Sequence, residues 1–138
     1  MILGFTGTRY GMTEAQRMTV DRLLAELLPS LVLHGDCVGA DAQFHNLAKT
    51  HRIGVSIYPG VPLGDSRRAG CQGYVSLWPV KSFIARNHDI VDSSDSLIAV
   101  VSGYAELLRS GTWATVRYAR KLGKPIRIVW PDGSVKEE

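Results

Sequence analysis

Two short segments of this 138-residue chain combine the residue types that hold an anion. Thr6-Gly7-Thr8-Arg9-Tyr10-Gly11 brings together hydroxyls, glycines and a cation, and Arg109-Ser110-Gly111-Thr112 does the same late in the chain. Between them, Gly35-Asp36-Cys37-Val38-Gly39 sets a carboxylate between two glycines. Glycines let backbone N–H groups approach a phosphate closely, a following helix N-terminus adds its positive dipole end, and hydroxyls complete the cradle. Gly7, Thr8, Arg9, Gly35, Gly39, Gly111 and Thr112 are therefore candidate ligand-binding residues. The competing role for Gly7 and Gly111 is simply to permit tight turns.

Arg86 is the sharpest single residue. It falls on a helical stripe with Phe83 and Ile90, which should face a sheet. An inward cation either reaches out along its stem or meets a negative partner. That partner is a ligand phosphate or one of Asp89, Asp92 and Asp95. Asp36 can accept from ribose hydroxyls, as acidic residues after a second strand do in dinucleotide folds. Asp41 and His45 lie one helical turn apart, a conceivable metal pair. No third ligand has suitable spacing, and Asp41 also suits a first helical turn on dipole grounds; no metal and no cofactor are expected. His34, His51 and His88 have no readable catalytic partner. Tyr74 and Trp78, near Arg67, Arg68 and Lys81, could stack on a base or simply anchor a loop on the core.

These residues need elements to position them. Ile2 to Phe5 reads as a buried strand. Thr13-x-x-Gln16 is a capping box that starts a helix, whose stripe is Val20, Leu23, Leu24, Leu27 and Leu28, ended by Pro29. Leu31 to His34 is a second strand, followed by a helix with the stripe Ala40, Phe44, Leu47 and Ala48. Ile53 to Tyr58 is a third strand, and Val61 to Lys81 has no clear period. A third helix runs from Ser82 to Asp92, a fourth strand from Ser96 to Val101 and a fourth helix from Gly111 to Leu122. Ile126 to Trp130 is the last strand. Alternating strands and helices predict an α/β, Rossmann-like, doubly wound parallel sheet of about five strands in the order 3-2-1-4-5, with helices on both faces. Residues 1–138 form one domain. Ligands in such sheets bind beyond the carboxyl ends of the strands, where strand order reverses, here between the first and fourth strands.

Hydrophobic residues at 45% and charged residues at 21% exclude a disordered chain. No apolar run approaches the ~20 residues that span a bilayer. The opening strand shows no basic leader and no small-residue cleavage site, so a cytoplasmic location is expected. Cys37 and Cys71 form no metal-ligand spacing and read as free thiols. The net charge of +3 suits an anionic small molecule and is too small to favour nucleic acid.

With these residues in view, the chain resembles the SLOG superfamily, the Rossmann-like group that includes the Lonely Guy phosphoribohydrolases and the DNA-processing protein A family. The resemblance rests on Gly4-Phe5-Thr6-Gly7-Thr8-Arg9, on the Gly39-Ala40-Asp41 turn, and on Arg86-Asn87 followed by Asp95, Leu97 to Val100 and Ser110-Gly111-Thr112. Lonely Guy enzymes cleave the N-glycosidic bond of nucleoside monophosphates with an arginine and a glutamate. Arg86 matches that arginine and Gly111-Thr112 the glycine-rich turn, whereas Thr115 stands at the glutamate position and carries no charge. The resemblance thus implies a nucleotide-binding protein (sensor, carrier or atypical enzyme) with Arg86 as counter-charge and Thr115 in the ligand-binding turn. An N-glycosidase or deoxyribosyltransferase-like enzyme with Arg86 and Asp41 as catalytic residues is the alternative. Single-stranded DNA binding ranks third. The resemblance also implies a homodimer.

Overall fold

The computed structural model describes residues 1–62 and 67–138. Seven strands, β1 (Ile2–Gly7), β2 (Leu31–His34), β3 (Gly54–Ile57), β4 (Ser76–Leu77), β5 (Ser96–Val100), β6 (Ile126–Val129) and β7 (Val135–Glu137), form one sheet. Four helices, α1 (Glu14–Leu27), α2 (Ala40–Thr50), α3 (Phe83–Asp92) and α4 (Gly111–Lys121), cover it. The order is β4-β3-β2-β1-β5-β6-β7, parallel except for β7. The expected five strands form the middle of this sheet, and among the described residues the count of five is corrected to seven. β4 adds two residues to the edge beside β3, inside the stretch without period. β7 is the return strand of a hairpin that turns at Pro131-Asp132-Gly133-Ser134, where Gly133 takes φ +84° and Ser134 N–H donates to Asp132 Oδ1.

Alternation along the strands divides the core. Ile98 and Val100 of β5 point with Leu3 and Phe5 into α1 and α2, while Leu97 and Ala99 point the other way, against Trp113 and Val116 of α4. Such two-sided burial is why β5 reads as an unbroken apolar run. Leu28 leaves the α1 stripe: it caps the helix in a left-handed conformation (φ 46°) with its side chain in solvent, because Pro29 disfavours helical geometry in the residue before it. Among the described residues no helix is long and apolar enough to cross a membrane.

The α1 capping box also ties that helix to the sheet. Gln16 is buried; its Oε1 accepts from Thr13 N–H, and its Nε2 donates to the carbonyls of Val101 (2.7 Å) and Val129 (3.1 Å). Gln16→Leu keeps the bulk but leaves the buried Val101 carbonyl without a donor, a loss worth about 1–3 kcal/mol, and strips Val129 O of one of its two donors and the helix cap of its bond to Thr13 N–H. We expect a stability loss of about 2 kcal/mol or more, read by urea unfolding; an unchanged midpoint would refute this role.

Candidate functional site

Beyond the carboxyl ends of β1 and β5, where strand order reverses, lies a cavity of about 450 Å³. Gly7, Thr8 and Arg9 line one wall and Arg109, Ser110, Gly111 and Thr112 the facing one. Gly35, Cys37, Asp41 and Arg86 lie at a third side with Phe83 and Asn87. The sequence-predicted residues Gly7, Thr8, Arg9, Gly35, Asp41, Arg86, Gly111 and Thr112 are thus brought together. Asp36, Gly39 and Thr115 do not line the cavity.

The early wall is shaped by Thr8. Its N–H donates to Val100 O, its carbonyl accepts from Gly11 and Ala40 N–H, and its Oγ1 accepts from Tyr10 N–H. The late wall is the start of α4, where Ser110 Oγ caps Trp113 N–H. The amides of Gly111 and Thr112 precede the first intrahelical bonds, as the leading N–H groups of any helix do. Gly39 serves the early wall from behind. It sits at φ +94°, and a Cβ there would lie 2.3 Å from Arg9 O. Gly39→Ala should therefore cost about 1–3 kcal/mol in backbone strain and shift the amide resonances of Thr8 and Arg9; an unperturbed spectrum with unchanged stability would contradict this.

Arg86 does face inward, but its partners are not the aspartates of its own helix. Asp89 pairs with Lys81, Asp92 accepts from Tyr118 Oη, and Asp95 accepts from Ile2 N–H. Arg86 Nε donates to Asn87 Oδ1 (2.7 Å), and Nη1 donates to the carbonyls of Gly35 (2.9 Å) and Tyr58 (3.3 Å). Nη2 meets Cys37 Sγ at 3.7 Å. Gly35 makes this possible, since a Cβ at that position would sit 2.0 Å from Nη1.

Asp41 is buried at the start of α2, and its Oδ2 accepts from the amides of Gly35 (3.2 Å) and Cys37 (3.1 Å). Burial pushes its carboxyl up to about 6, against the opposing pull of Arg86 and the two amides. Cys37 is raised to about 11 by burial and by Asp41, so its thiol stays protonated at neutral pH.

Asp36 is a correction to the expected site. Fully buried at φ 57°, it accepts from Arg68 Nε and Nη2 and from the amides of Gly70 and Cys71. Burial alone would raise its carboxyl, but Cys71 and Arg68 hold it below the ordinary value. It anchors the segment after the third strand and turns away from the cavity. Thr115 is likewise sealed, its hydroxyl donating to Gly111 O within α4. Trp78 and Tyr74 also lie outside the cavity, and Trp78 stacks on Tyr58 with centroids 5.4 Å apart, the anchoring role.

Sequence reading missed a buried relay of histidines. Asp36 N–H donates to His34 Nδ1 (2.9 Å), so His34 Nε2 carries the proton and donates to His45 Nδ1 (2.9 Å). His45 Nε2–H in turn donates to Gln72 O (2.7 Å). His34, His45 and Cys71 place their ligand atoms within 4.8 Å of one another. Yet this proton order leaves His34 no lone pair for a metal, and Asp41 points to amides instead of pairing with His45 on one ion. Burial, helped by His45, pushes His34 down to about 3 from its ordinary 6.5. A lowered histidine contributes stability that is complete above pH 6.5 and is lost as pH falls toward 3. His34→Asn, which does not titrate there, should be less acid-sensitive than the parent between pH 6.5 and 4.5 in urea unfolding; parallel losses in the two proteins would contradict this.

Fold and cavity together define a Rossmann-like α/β domain with an open site at its topological switch point. No protein-family model and no curated protein sequence matches the chain. Among solved structures, it is similar to the molybdenum cofactor binding protein of Rippkaea orientalis, with 22% identity, a TM-score of 0.65 and coverage of 92% of this chain and 74% of that one. The molybdenum cofactor carrier protein of Chlamydomonas reinhardtii is similar at 22% identity and a TM-score of 0.63, with the same coverages. DNA processing protein A of Helicobacter pylori, described with a single-stranded DNA binding mode, shares 20% identity at a TM-score of 0.61 over 93% of this chain and 64% of that one. At these identities the likeness is one of fold.

Proposed function

We propose that the cavity binds a nucleotide or nucleotide-derived phosphorylated ligand. The observation that carries this reading is the convergence of the Gly7–Arg9 and Arg109–Thr112 segments on one cavity of about 450 Å³, a volume suited to a small-molecule ligand. The start of α4 supplies leading amides and the positive end of a helix dipole to that space. Two structural neighbours, a molybdenum cofactor binding protein and a molybdenum cofactor carrier protein, are consistent with a binding role. A location in the cytoplasm and self-association fit the same reading.

Asp41 favours a second reading, cleavage or transfer at an N-glycosidic bond. Its carboxyl is buried beside the cavity and titrates at about 6, which suits a general acid or base near neutral pH. A carboxylate near the sugar also stabilises an oxocarbenium-like transition state. It could replace the glutamate that Thr115 does not supply.

Mass spectrometry of small molecules released from the purified protein, with calorimetry against nucleoside monophosphates and signalling nucleotides, tests the binding reading. A bound or titratable phosphorylated ligand is expected, and its absence would remove the proposal. Incubation with the binding nucleotide separates the two readings. Free base that disappears in Asp41→Asn and Arg86→Ala assigns turnover, while an intact nucleotide assigns binding alone. A neighbour that binds single-stranded DNA adds a control: oligonucleotide affinity falling steeply with salt would point there instead.

A further inference from the structure

We infer that the cavity fixes the direction in which its ligand enters: a neutral group bearing an O–H or N–H donor goes inward to Asp41, and the phosphate stays outward at Arg109 and the start of α4. This inference rests on the phosphorylated-ligand reading and deepens it.

The inward end is set by what is left unpaired. Asp41 has one carboxylate oxygen occupied by two amides, and Oδ1 accepts from no nitrogen or oxygen donor among the described residues. The protein group beside it is the Cys37 thiol, a weak donor. A carboxylate held in place by two amides through one oxygen, with the other turned to the cavity it lines, favours a donor and repels an anion.

Arg86 does not reverse that preference. Nε and both Nη1 hydrogens are committed to Asn87, Gly35 and Tyr58, and Nη2 already faces sulfur. The paired N–H edge that grips a phosphate is therefore spent on the protein. Arg86 acts as a positioning residue: it fixes Gly35 and tempers the Asp41 charge, and no ion pair within 4 Å joins the two among the described residues.

The outward end has the opposite character. Arg109 is exposed, lines the cavity, and makes no ion pair or hydrogen bond among the described residues. It stands two residues before Gly111, whose amide and that of Thr112 open α4. A cation, leading amides and the Thr112 hydroxyl thus meet where a phosphate can keep part of its hydration.

NMR titration of the ¹⁵N-labelled chain tests this with three probe types: inorganic phosphate, ribose 5-phosphate and the four ribonucleoside 5′-monophosphates. All are expected to shift the Gly111 and Thr112 amides, while only probes with an inward donor shift Gly35 and Cys37. Arg109→Ala should weaken every probe about tenfold or more. Asp41→Asn should weaken the donor-bearing probes by a similar factor and leave inorganic phosphate unchanged or tighter. Loss with ribose 5-phosphate assigns the donor to the sugar, and loss confined to nucleotides assigns it to the base. Tighter nucleotide binding in Asp41→Asn, or phosphate shifts centred on Gly35 and Cys37, would overturn the orientation while leaving the ligand reading intact. If no probe binds the parent protein, the ligand reading fails and the orientation falls with it. The shift pattern of the parent protein decides the matter even if a variant does not fold.

Discussion

A guanidinium removed from water must find acceptors, and in this fold the acceptors of Arg86 come from the backbone at the ends of two strands. The carbonyls of Gly35, just beyond β2, and Tyr58, just beyond β3, receive Nη1, while Phe83 on the same helix lies under the guanidinium at 5.0 Å. This arrangement joins α3 to the carboxyl edge of the sheet and sets the inner side of the cavity. It depends on Gly35 lacking a side chain, because any Cβ would occupy the space of Nη1. It also explains how a buried cation and the buried carboxylate of Asp41 coexist without contact: each is satisfied mainly by peptide groups, which holds the two charges near one another without neutralising them in a direct pair.

The segment Gly35–Asp41 has a divided role. Its glycines, Asp41 and Cys37 serve the cavity, whereas Asp36 faces the opposite direction and gathers donors from Arg68, Gly70 and Cys71. The left-handed backbone at Asp36 produces this reversal. The same residue's amide starts the histidine relay that ends on Gln72. Residues 68–72 are therefore held at two points by one turn, through the Asp36 carboxylate and through a chain of hydrogen-bonded imidazoles. The cavity wall and the loop anchor are built from the same few residues, so a change in one is felt in the other.

Much of this was legible in the sequence where the governing interactions are local. The Thr13–Gln16 box, the stripe of α2 and the apolar run of β5 each reflect a period or cap within one element, and they located the middle five strands. The stripe also gave the inward direction of Arg86. Its backbone acceptors lie 28 and 51 residues away in the chain, and spacing does not encode them. Asp36 was misassigned for the same reason, since its donors come 32 to 35 residues later. β4 escaped because two residues show no alternation. β7 did carry a signal, the Asp132-Gly133 turn after an apolar strand, which marks a hairpin. Thr115 illustrates a limit of motif matching: a position aligned with a family's acid turned its hydroxyl back onto its own helix.

The two short outer strands bear on how copies of this domain can meet. Among the described residues β4 pairs with β3 through Ser76–Leu77 alone, and so short an edge offers little of the row of open peptide groups on which sheets fuse from molecule to molecule. On the other edge β7 carries Lys136 and Glu137, and charged side chains on an outer strand disfavour the same pairing.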